Sequence, residues 1–501
     1  MNLSEIIVHG ARYFGNKTAL VFQDKRYTYS ELNALIDNLA SYLNEVGIIP
    51  ADRVALYLPN CPQWIAVYYA IIRIGAVSVC VSSAYKQNEV KHLINDSKSS
   101  LLISSEELSD QIPCHETIPE VKNILLIEQD ATLVSIFEKK HCAPDPSEMV
   151  ACPPDKECVI LYTGGTTGAP KGAMLTHRNI LYTSQNVCYH ERTGSKDVAV
   201  CMMPLNHVFA GNHIMNSILY GGGTLVLHKG FDLDDIVSSI RRNKVTRLYA
   251  VPTIFIRLLN NLESKRHLSS LTYCFSAATS MASEIVRQWQ ESFKLKIYEA
   301  YGMTETASLV TYNHRYRHKI GSVGTSAGIV EVKIVDPNGT EVPAGETGEI
   351  VIRGPNVMKG YINKPKETAE ILRDGWLHSG DLGYLDEQGY LFIVDRIKDM
   401  IISGGLNIYP SEVEDVLYEH AAVEECSVVG MPHPEYGEAV TAYVIKKQDQ
   451  LCAADDLIRF CKERIASYKA PKKIMFVKEL PKSPAGKILK RVIRKAFDKS
   501  D

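Results

Sequence analysis

Tyr162-Thr163-Gly164-Gly165-Thr166-Thr167-Gly168-Ala169-Pro170-Lys171-Gly172 follows directly on the apolar run Cys158-Val159-Ile160-Leu161. The run reads as a buried strand. The glycines after it let the backbone turn sharply and lay its N–H groups against an anion. Threonine hydroxyls and Lys171 add donors and positive charge, so the loop suits a polyphosphate, most simply ATP. The Walker loop of kinases and GTPases, Gly-x-x-x-x-Gly-Lys-Ser/Thr, is not met. Pro170 precedes the lysine and Gly172 follows it, so the last glycine and the magnesium hydroxyl are both missing.

Outward from this loop, the pattern is one of alternation. Ser30-Glu31 opens an amphipathic helix with Leu32, Leu35, Ile36, Leu39 and Leu43 on one face, Ser30 as the expected N-cap and Gly47 at its end. Short apolar runs at 54–57, 101–103, 124–127, 224–227 and 248–251 read as strands, with helical stretches such as 63–74 between them. Mostly parallel sheets covered by helices are expected. After about residue 320, the turns Asp336-Pro337-Asn338-Gly339, Pro343-Ala344-Gly345 and Asp386-Glu387-Gln388-Gly389 imply a compact antiparallel or barrel-like region. From Asp395 onward a small α+β module is expected, with a helix at 411–418, strands near 427–429 and 442–445, and a Lys/Arg-rich tail in solvent.

A chain of 501 residues exceeds one hydrophobic core, and 45% apolar with 23% charged residues is an ordinary globular composition. A net charge of -3 argues against a dedicated nucleic-acid binder. The twelve cysteines show no Cys-x-x-Cys pair and no His/Cys ligand spacing, so neither a zinc site nor a disulfide framework is indicated and reduced, cytoplasmic thiols are expected. Met1-Asn2-Leu3-Ser4-Glu5-Ile6-Ile7 lacks the basic start of a signal peptide, and no apolar run approaches the ~20 residues of a membrane span.

Five further blocks join the loop: Pro204-Leu205-Asn206-His207-Val208-Phe209; Tyr298-Glu299-Ala300-Tyr301-Gly302-Met303-Thr304-Glu305; His378-Ser379-Gly380-Asp381; Asp395-Arg396-Ile397-Lys398-Asp399 with Ser403-Gly404-Gly405; and Pro481-Lys482-Ser483-Pro484-Ala485-Gly486-Lys487. In this order they resemble the adenylate-forming superfamily of acyl-CoA synthetases, luciferases and peptide-synthetase adenylation domains, over nearly the whole chain. The resemblance implies an α/β fold in two parts. Residues 1–396 form a large N-terminal domain of parallel-rich sheets sandwiched by helices, with a small barrel-like subdomain at about 321–396; residues 397–501 form a small mobile α+β C-terminal domain.

It also implies roles. Thr163, Gly164, Gly165, Thr166, Thr167, Gly168, Lys171 and Thr304 face the ATP phosphates, and Glu305 holds Mg²⁺. Ala277, Ala278, Glu299, Ala300, Tyr301 and Gly302 surround the adenine, while Asp381 takes the ribose hydroxyls with Arg396 beside it. Lys487 is the cation at the reacting carboxylate and α-phosphate. Lys398 is the hinge about which the C-terminal domain turns to bring Ser403, Gly404 and Gly405 to a pantetheine arm. His207, Phe209, Ala210 and Gly302 mark the acyl pocket, with His207 among the catalytic residues. The chemistry itself favours this set: a carboxylate attacking ATP brings two anions together and releases pyrophosphate, which calls for cations and fixed donors rather than a protein nucleophile.

The stretch 208–216 has no carboxylate to pair with a substrate ammonium, which disfavours an α-amino acid. A medium- or long-chain fatty acid is expected, with coenzyme A as acceptor; a carrier-protein pantetheine acting in trans is the alternative. His213 and Asn216 read as helix packing and solvent, and Lys490 and Lys495 as solvated tail lysines.

Overall fold

The computed structural model describes residues 1–127, 149–163, 170–277, 279, 281–447, 450–483 and 486–497. Gly164, Gly165, Thr166, Thr167, Gly168 and Ala278 of the predicted site lie outside the described residues.

Two large sheets carry the N-terminal part. In the first, Glu157–Thr163, Val77–Cys80, Arg53–Tyr57, Leu101–Ser105 and Asn123–Ile127 run parallel, and Lys171–Thr176 and Gly360–Tyr361 extend one edge antiparallel. The second has nine strands in the order Thr325–Ser326, Thr311–Tyr312, Ile297–Tyr301, Tyr273–Ser276, Arg247–Ala250, Val198–Cys201, Thr224–Leu227, Thr18–Phe22 and Lys25–Thr28. Its six strands from Ile297–Tyr301 to Thr18–Phe22 are parallel. One continuous core takes in side chains of both sheets and of helices Tyr29–Glu45, Pro62–Arg73 and His177–Glu191. Every residue of Pro62–Arg73 except Gln63 is buried, as befits a helix apolar on all sides and wedged between layers.

The N-cap of Tyr29–Glu45 is Thr28, not Ser30. Glu31 N–H donates to the Thr28 hydroxyl at 3.2 Å and Thr28 N–H donates to the Glu31 carboxylate at 2.7 Å, so a reciprocal pair starts the helix two residues early.

The third sheet is five-stranded and antiparallel: Glu331–Val335, Gly348–Arg353, Trp376–Leu385, Leu372–Arg373 and Leu391–Arg396. The last sheet is built from Leu406–Ile408, Ile401–Ser403, Gly437–Lys446 and Val423–His433, with Lys473–Phe476 parallel to Gly437–Lys446. It has its own core around Val413, Leu417, Val428, Val440 and Leu457. The tail is not simply solvated: helix Lys490–Phe497 packs back on this sheet through Ile493. Lys490 pairs with Glu414 at 2.9 Å and Arg494 with Asp399 at 3.4 Å, because a basic helix laid beside partly buried carboxylates finds partners there.

Candidate active site

The phosphate loop is anchored by strand pairing. Glu157–Thr163 and Lys171–Thr176 are antiparallel neighbours, and Thr163 stands opposite Lys171. The Lys171 ammonium lies 5.2 Å from the centre of the Tyr361 ring, and the Tyr361 hydroxyl donates to Glu305 Oε1 at 2.6 Å. Glu305 sits on a single 3₁₀ turn, Thr304–Thr306, just past strand Ile297–Tyr301. The fold admits only glycine at position 302, since a Cβ there would lie 1.5 Å from the Ser308 carbonyl oxygen. Lys171 and Glu305 therefore meet at the Tyr361 ring from two different sheets, with the partly buried Thr304 next to Glu305 in the chain.

Beside them, the Tyr301 hydroxyl donates to Asp381 Oδ2 at 2.6 Å and Arg396 Nε donates to Asp381 Oδ1 at 2.8 Å. Asp381 and Arg396 are directly opposite across adjacent strands of the third sheet. Each Asp381 oxygen keeps a lone pair for a further donor. Glu299, two residues before Tyr301 on the same face of the strand, is 6% exposed, and its Oε2 has no partner among the described residues. Burial and the nearby charge of Asp415 push the Glu299 carboxyl up to about 8, so at neutral pH it carries a proton that it is able to donate. Ala277 and Ala300 are half-buried against the large core.

The His207 segment is bolted by Asn60. The Asn60 amide donates to the carbonyls of Met203 at 2.9 Å and His228 at 3.0 Å, and its oxygen accepts from Leu205 N–H at 2.9 Å. His207 Nδ1 accepts from Phe209 N–H at 3.2 Å, which leaves the ring proton on Nε2. Burial, and then the charge of Lys487, push this imidazole down to about 4, so it stays neutral. Phe209–Asn216 forms a π-helix, a rare element concentrated at functional sites, with Phe209 and Ala210 buried. His213 and Asn216 are wholly buried rather than solvated. His213 Nε2 pairs with Glu191 at 2.7 Å, and Asn216 accepts from Tyr69 at 2.6 Å. Glu191, itself 0% exposed, is also engaged by the Tyr249 hydroxyl and by Arg247, so it is not free to meet a substrate ammonium.

Lys487 arrives from the other side on a hairpin. Lys482 bridges Ile488, Ser483 N–H donates to the Lys487 carbonyl at 2.8 Å, and Lys487 N–H donates to Ser483 Oγ at 3.2 Å. Gly486 has φ +80°, and a Cβ there would come within 3.0 Å of Val251 in the large sheet region. Desolvation, then Arg396, push the Lys487 ammonium down to about 8, with Asp381 and Asp399 opposing. Lys487 thus shares electrostatic surroundings with His207 on one side and with Asp381 and Arg396 on the other. A cleft of about 440 Å³ opens beside the hairpin, walled by Asn60, Met203, Val251, Arg257, Lys482 and Gly486.

A family model described as AMP-binding enzyme matches residues 8–362, and one described as AMP-binding enzyme C-terminal domain matches residues 412–487. The chain belongs to the AMP-binding enzyme family. A long-chain-fatty-acid–CoA ligase of Bacillus subtilis (strain 168) is 36% identical over 98% of this chain and 93% of its own length. A feruloyl-CoA synthase of an Amycolatopsis species is 36% identical over 98% of both chains. Among solved structures, ATP-bound MatB from Rhodopseudomonas palustris superposes with a TM-score of 0.92 at 29% identity, over 100% of this chain and 99% of that one. The apo form of the same protein superposes at 0.81, at 29% identity over 99% of each chain, so the arrangement of this AMP-binding enzyme is nearer the ATP-bound form.

Lys398 lies between the third and fourth sheets with part of its surface exposed; burial and then the charge of Arg396 push its ammonium down to about 8, and Lys487 and Asp381 also act on it. Ser403, Gly404 and Gly405 form the tip of a hairpin whose bonds, Gly404 N–H to the Tyr436 carbonyl at 2.8 Å and Ser403 opposite Gly437, stay within the C-terminal sheet. Asn60 and Tyr361 went unnoticed in the sequence. Neither lies in a recognisable block, and only the tertiary structure brings them against the His207 segment and Glu305. Among the described residues no group of three or more His, Cys, Asp and Glu side chains is placed to hold a metal, and no helix is long and apolar enough to cross a membrane.

Proposed function

We propose that this AMP-binding enzyme is an ATP-dependent acid–CoA ligase that joins a carboxylic acid to the thiol of coenzyme A through an acyl-AMP. The observation carrying this reading is the seating of the Lys482–Ile488 hairpin, with Gly486 against Val251, which leaves Lys487 desolvated within charge range of His207, Asp381 and Arg396. In the first step a carboxylate oxygen bonds to the α-phosphorus and the bond to the β-phosphate oxygen breaks, releasing pyrophosphate. Lys487 neutralises charge on the carboxylate and α-phosphate as they approach. His207, neutral with its proton on Nε2, donates to an oxygen of the acid rather than repelling Lys487.

Lys171, Thr163 and Thr304 take the β- and γ-phosphates. Asp381 accepts from the ribose hydroxyls with Arg396 fixing its orientation. Tyr301 and Ala277 flank the adenine, and the buried, protonated Glu299, whose Oε2 has no partner among the described residues, supplies a donor at its edge. A magnesium ion bound on the phosphates would offset their charge. Glu305 fits it, since Mg²⁺ keeps its waters and needs one or two carboxylates beside substrate phosphates, and Tyr361 already orients that carboxylate. In the second step the CoA sulfur bonds to the acyl carbon, AMP leaves, and the thiol proton goes to solvent.

For the acid we propose a medium- or long-chain fatty acid, in the setting of fatty-acid metabolism. The buried, apolar start of the π-helix and the full engagement of Glu191 support this reading, as does the likeness to the Bacillus ligase. The test is acid-dependent exchange of labelled pyrophosphate into ATP across fatty, aryl and amino acids, with CoA and a pantetheinylated carrier compared as acceptors. Exchange that peaks on fatty acids is expected. No exchange with any carboxylic acid would remove the adenylation step.

A further inference from the structure

Helix Pro410–Tyr418 of the C-terminal sheet begins without a side-chain cap of its own. Its N-terminus is met instead by the strand Leu391–Arg396, on the far side of Lys398. Asp395 Oδ2 accepts from Ser411 N–H at 3.0 Å, and the Ser411 hydroxyl donates to the Val394 carbonyl. Asp395 is held for this by Arg396 N–H, which donates to Oδ1 at 2.8 Å. A carboxylate on the first turn of a helix satisfies an orphan N–H and complements the helix dipole. Lys490, also from the C-terminal part, adds charge: against burial, Glu414 and then Asp395 hold its ammonium above the ordinary value.

We propose that Asp395 and Ser411 form a latch that holds the C-terminal part in the adenylating orientation. The proposal rests on the two-step reading above, with Lys398 as pivot. Both latch bonds join residues upstream of Lys398 to one downstream, so any turn about Lys398 swings the helix N-terminus away from Asp395 and Val394. The Arg494–Asp399 pair lies wholly downstream and travels intact. Releasing the latch is therefore a cost of leaving the orientation that keeps Lys487 in the cleft. Asp395 and Ser411 are positioning residues: they act through the placement of Lys487 and touch no reacting atom.

Ser411→Ala, with Ser411→Thr as the conservative partner and Asp395→Asn as a second variant, separates this from a merely structural role. Two rates are measured on the full chain: acid-dependent pyrophosphate exchange, and thioester formation from supplied acyl-AMP and CoA. Loss of one hydrogen bond is expected to slow exchange about 3- to 10-fold in Ser411→Ala. Thioester formation should hold or rise, unfolding temperature should stay put, and Ser411→Thr should recover exchange. Hydrogen exchange at the Ser483 and Gly486 amides, which report the seated hairpin, should quicken in the alanine and asparagine variants. Equal loss of both half-reactions, or unaltered rates, overturns the latch. If the wild-type chain exchanges no pyrophosphate with any acid, the functional reading fails by itself. The latch is then judged on amide protection alone, and unaltered protection in both variants overturns it.

Discussion

Two glycine-bearing turns of the C-terminal part are placed oppositely. The segment around the Lys482–Ile488 bridge has Gly486 at φ +80°, and the hairpin 401–408 has Gly404 and Gly405 at +58° and +81°. The first lies in the cleft, with Gly486 against Val251 and Lys487 desolvated. The second stands in solvent, with Ile402 and Leu406 about half exposed, at 51% and 47%. Hairpin geometry does not decide the difference; the face that the small sheet presents to the large one does. A single module carrying two such loops can serve one site with only one of them at a time, which is why the proposed reaction needs a turn between its steps.

The sharpest way to break this comparison is to disarm the seated hairpin. Lys487→Ala is expected to cut acid-dependent pyrophosphate exchange about 10²- to 10³-fold, in line with the loss of a preorganised group at developing charge. Thioester formation from supplied acyl-AMP should change little, and equal loss of both would deny the division of labour. The wild-type enzyme should also show the ammonium in its pH profile. Because burial lowers the Lys487 pKa to about 8, the charged form is present below that value and lost above it. Adenylation kcat/KM should therefore decline on the alkaline side with an apparent pKa near 8, and the limb should be missing from Lys487→Ala.

Next in size is Lys398→Pro. A ring that fixes φ removes the pivot's freedom, so pyrophosphate exchange should survive while thioester formation drops to background. Wild-type thioester formation in this variant would sink the hinge. Gly405→Ala probes the outer hairpin alone. A Cβ there meets no atom within 4 Å, so the backbone is the whole penalty, roughly 1–2 kcal/mol in the left-handed region. Thioester formation should fall several-fold with exchange intact; a fall in exchange would place this tip in the first step as well.

The smallest expected effect is on stability. Glu299 has its carboxyl raised to about 8 in the folded chain, so its contribution is complete below the ordinary carboxylate pKa and lost as pH rises through 8. Glu299→Gln should remove that slope, leaving the variant's Tm about 2 °C above wild type at pH 9 relative to the difference at pH 6. An unchanged slope would mean that Glu299 ionises freely and that the interface near Asp415 is wetter than its burial indicates.

Much of this was readable in the chain. The apolar runs at 54–57, 101–103, 124–127 and 224–227 all became parallel strands; the first, second and fourth are buried on both faces and so almost wholly apolar, while the edge strand at 124–127 keeps Leu126 exposed. The site blocks drew attention to Glu305, Asp381 and Lys487, which the structure sets on a 3₁₀ turn, in a strand and on a hairpin respectively. Other readings failed where a partner far away in sequence was needed. Lys490 looks like any tail lysine until Glu414 is found 2.9 Å away, and His213 looks like a helix-face histidine until Glu191 closes over it. Thr28 outcompeted Ser30 as N-cap on a local bond that the apolar pattern does not register.

The sequence by itself determined the element types, the glycine positions that permit close backbone approach, and the set of groups able to manage phosphate and carboxylate charge. These depend on periodicity and on chemistry within a few residues. The tertiary structure decided which of those groups meet. It brought Lys487 to His207 and Asp381, set Tyr361 on Glu305, and joined Asp395 to Ser411 across Lys398. Such meetings depend on how separately folded sheets pack, and packing is a property of surfaces assembled from distant segments that no local stretch of sequence contains.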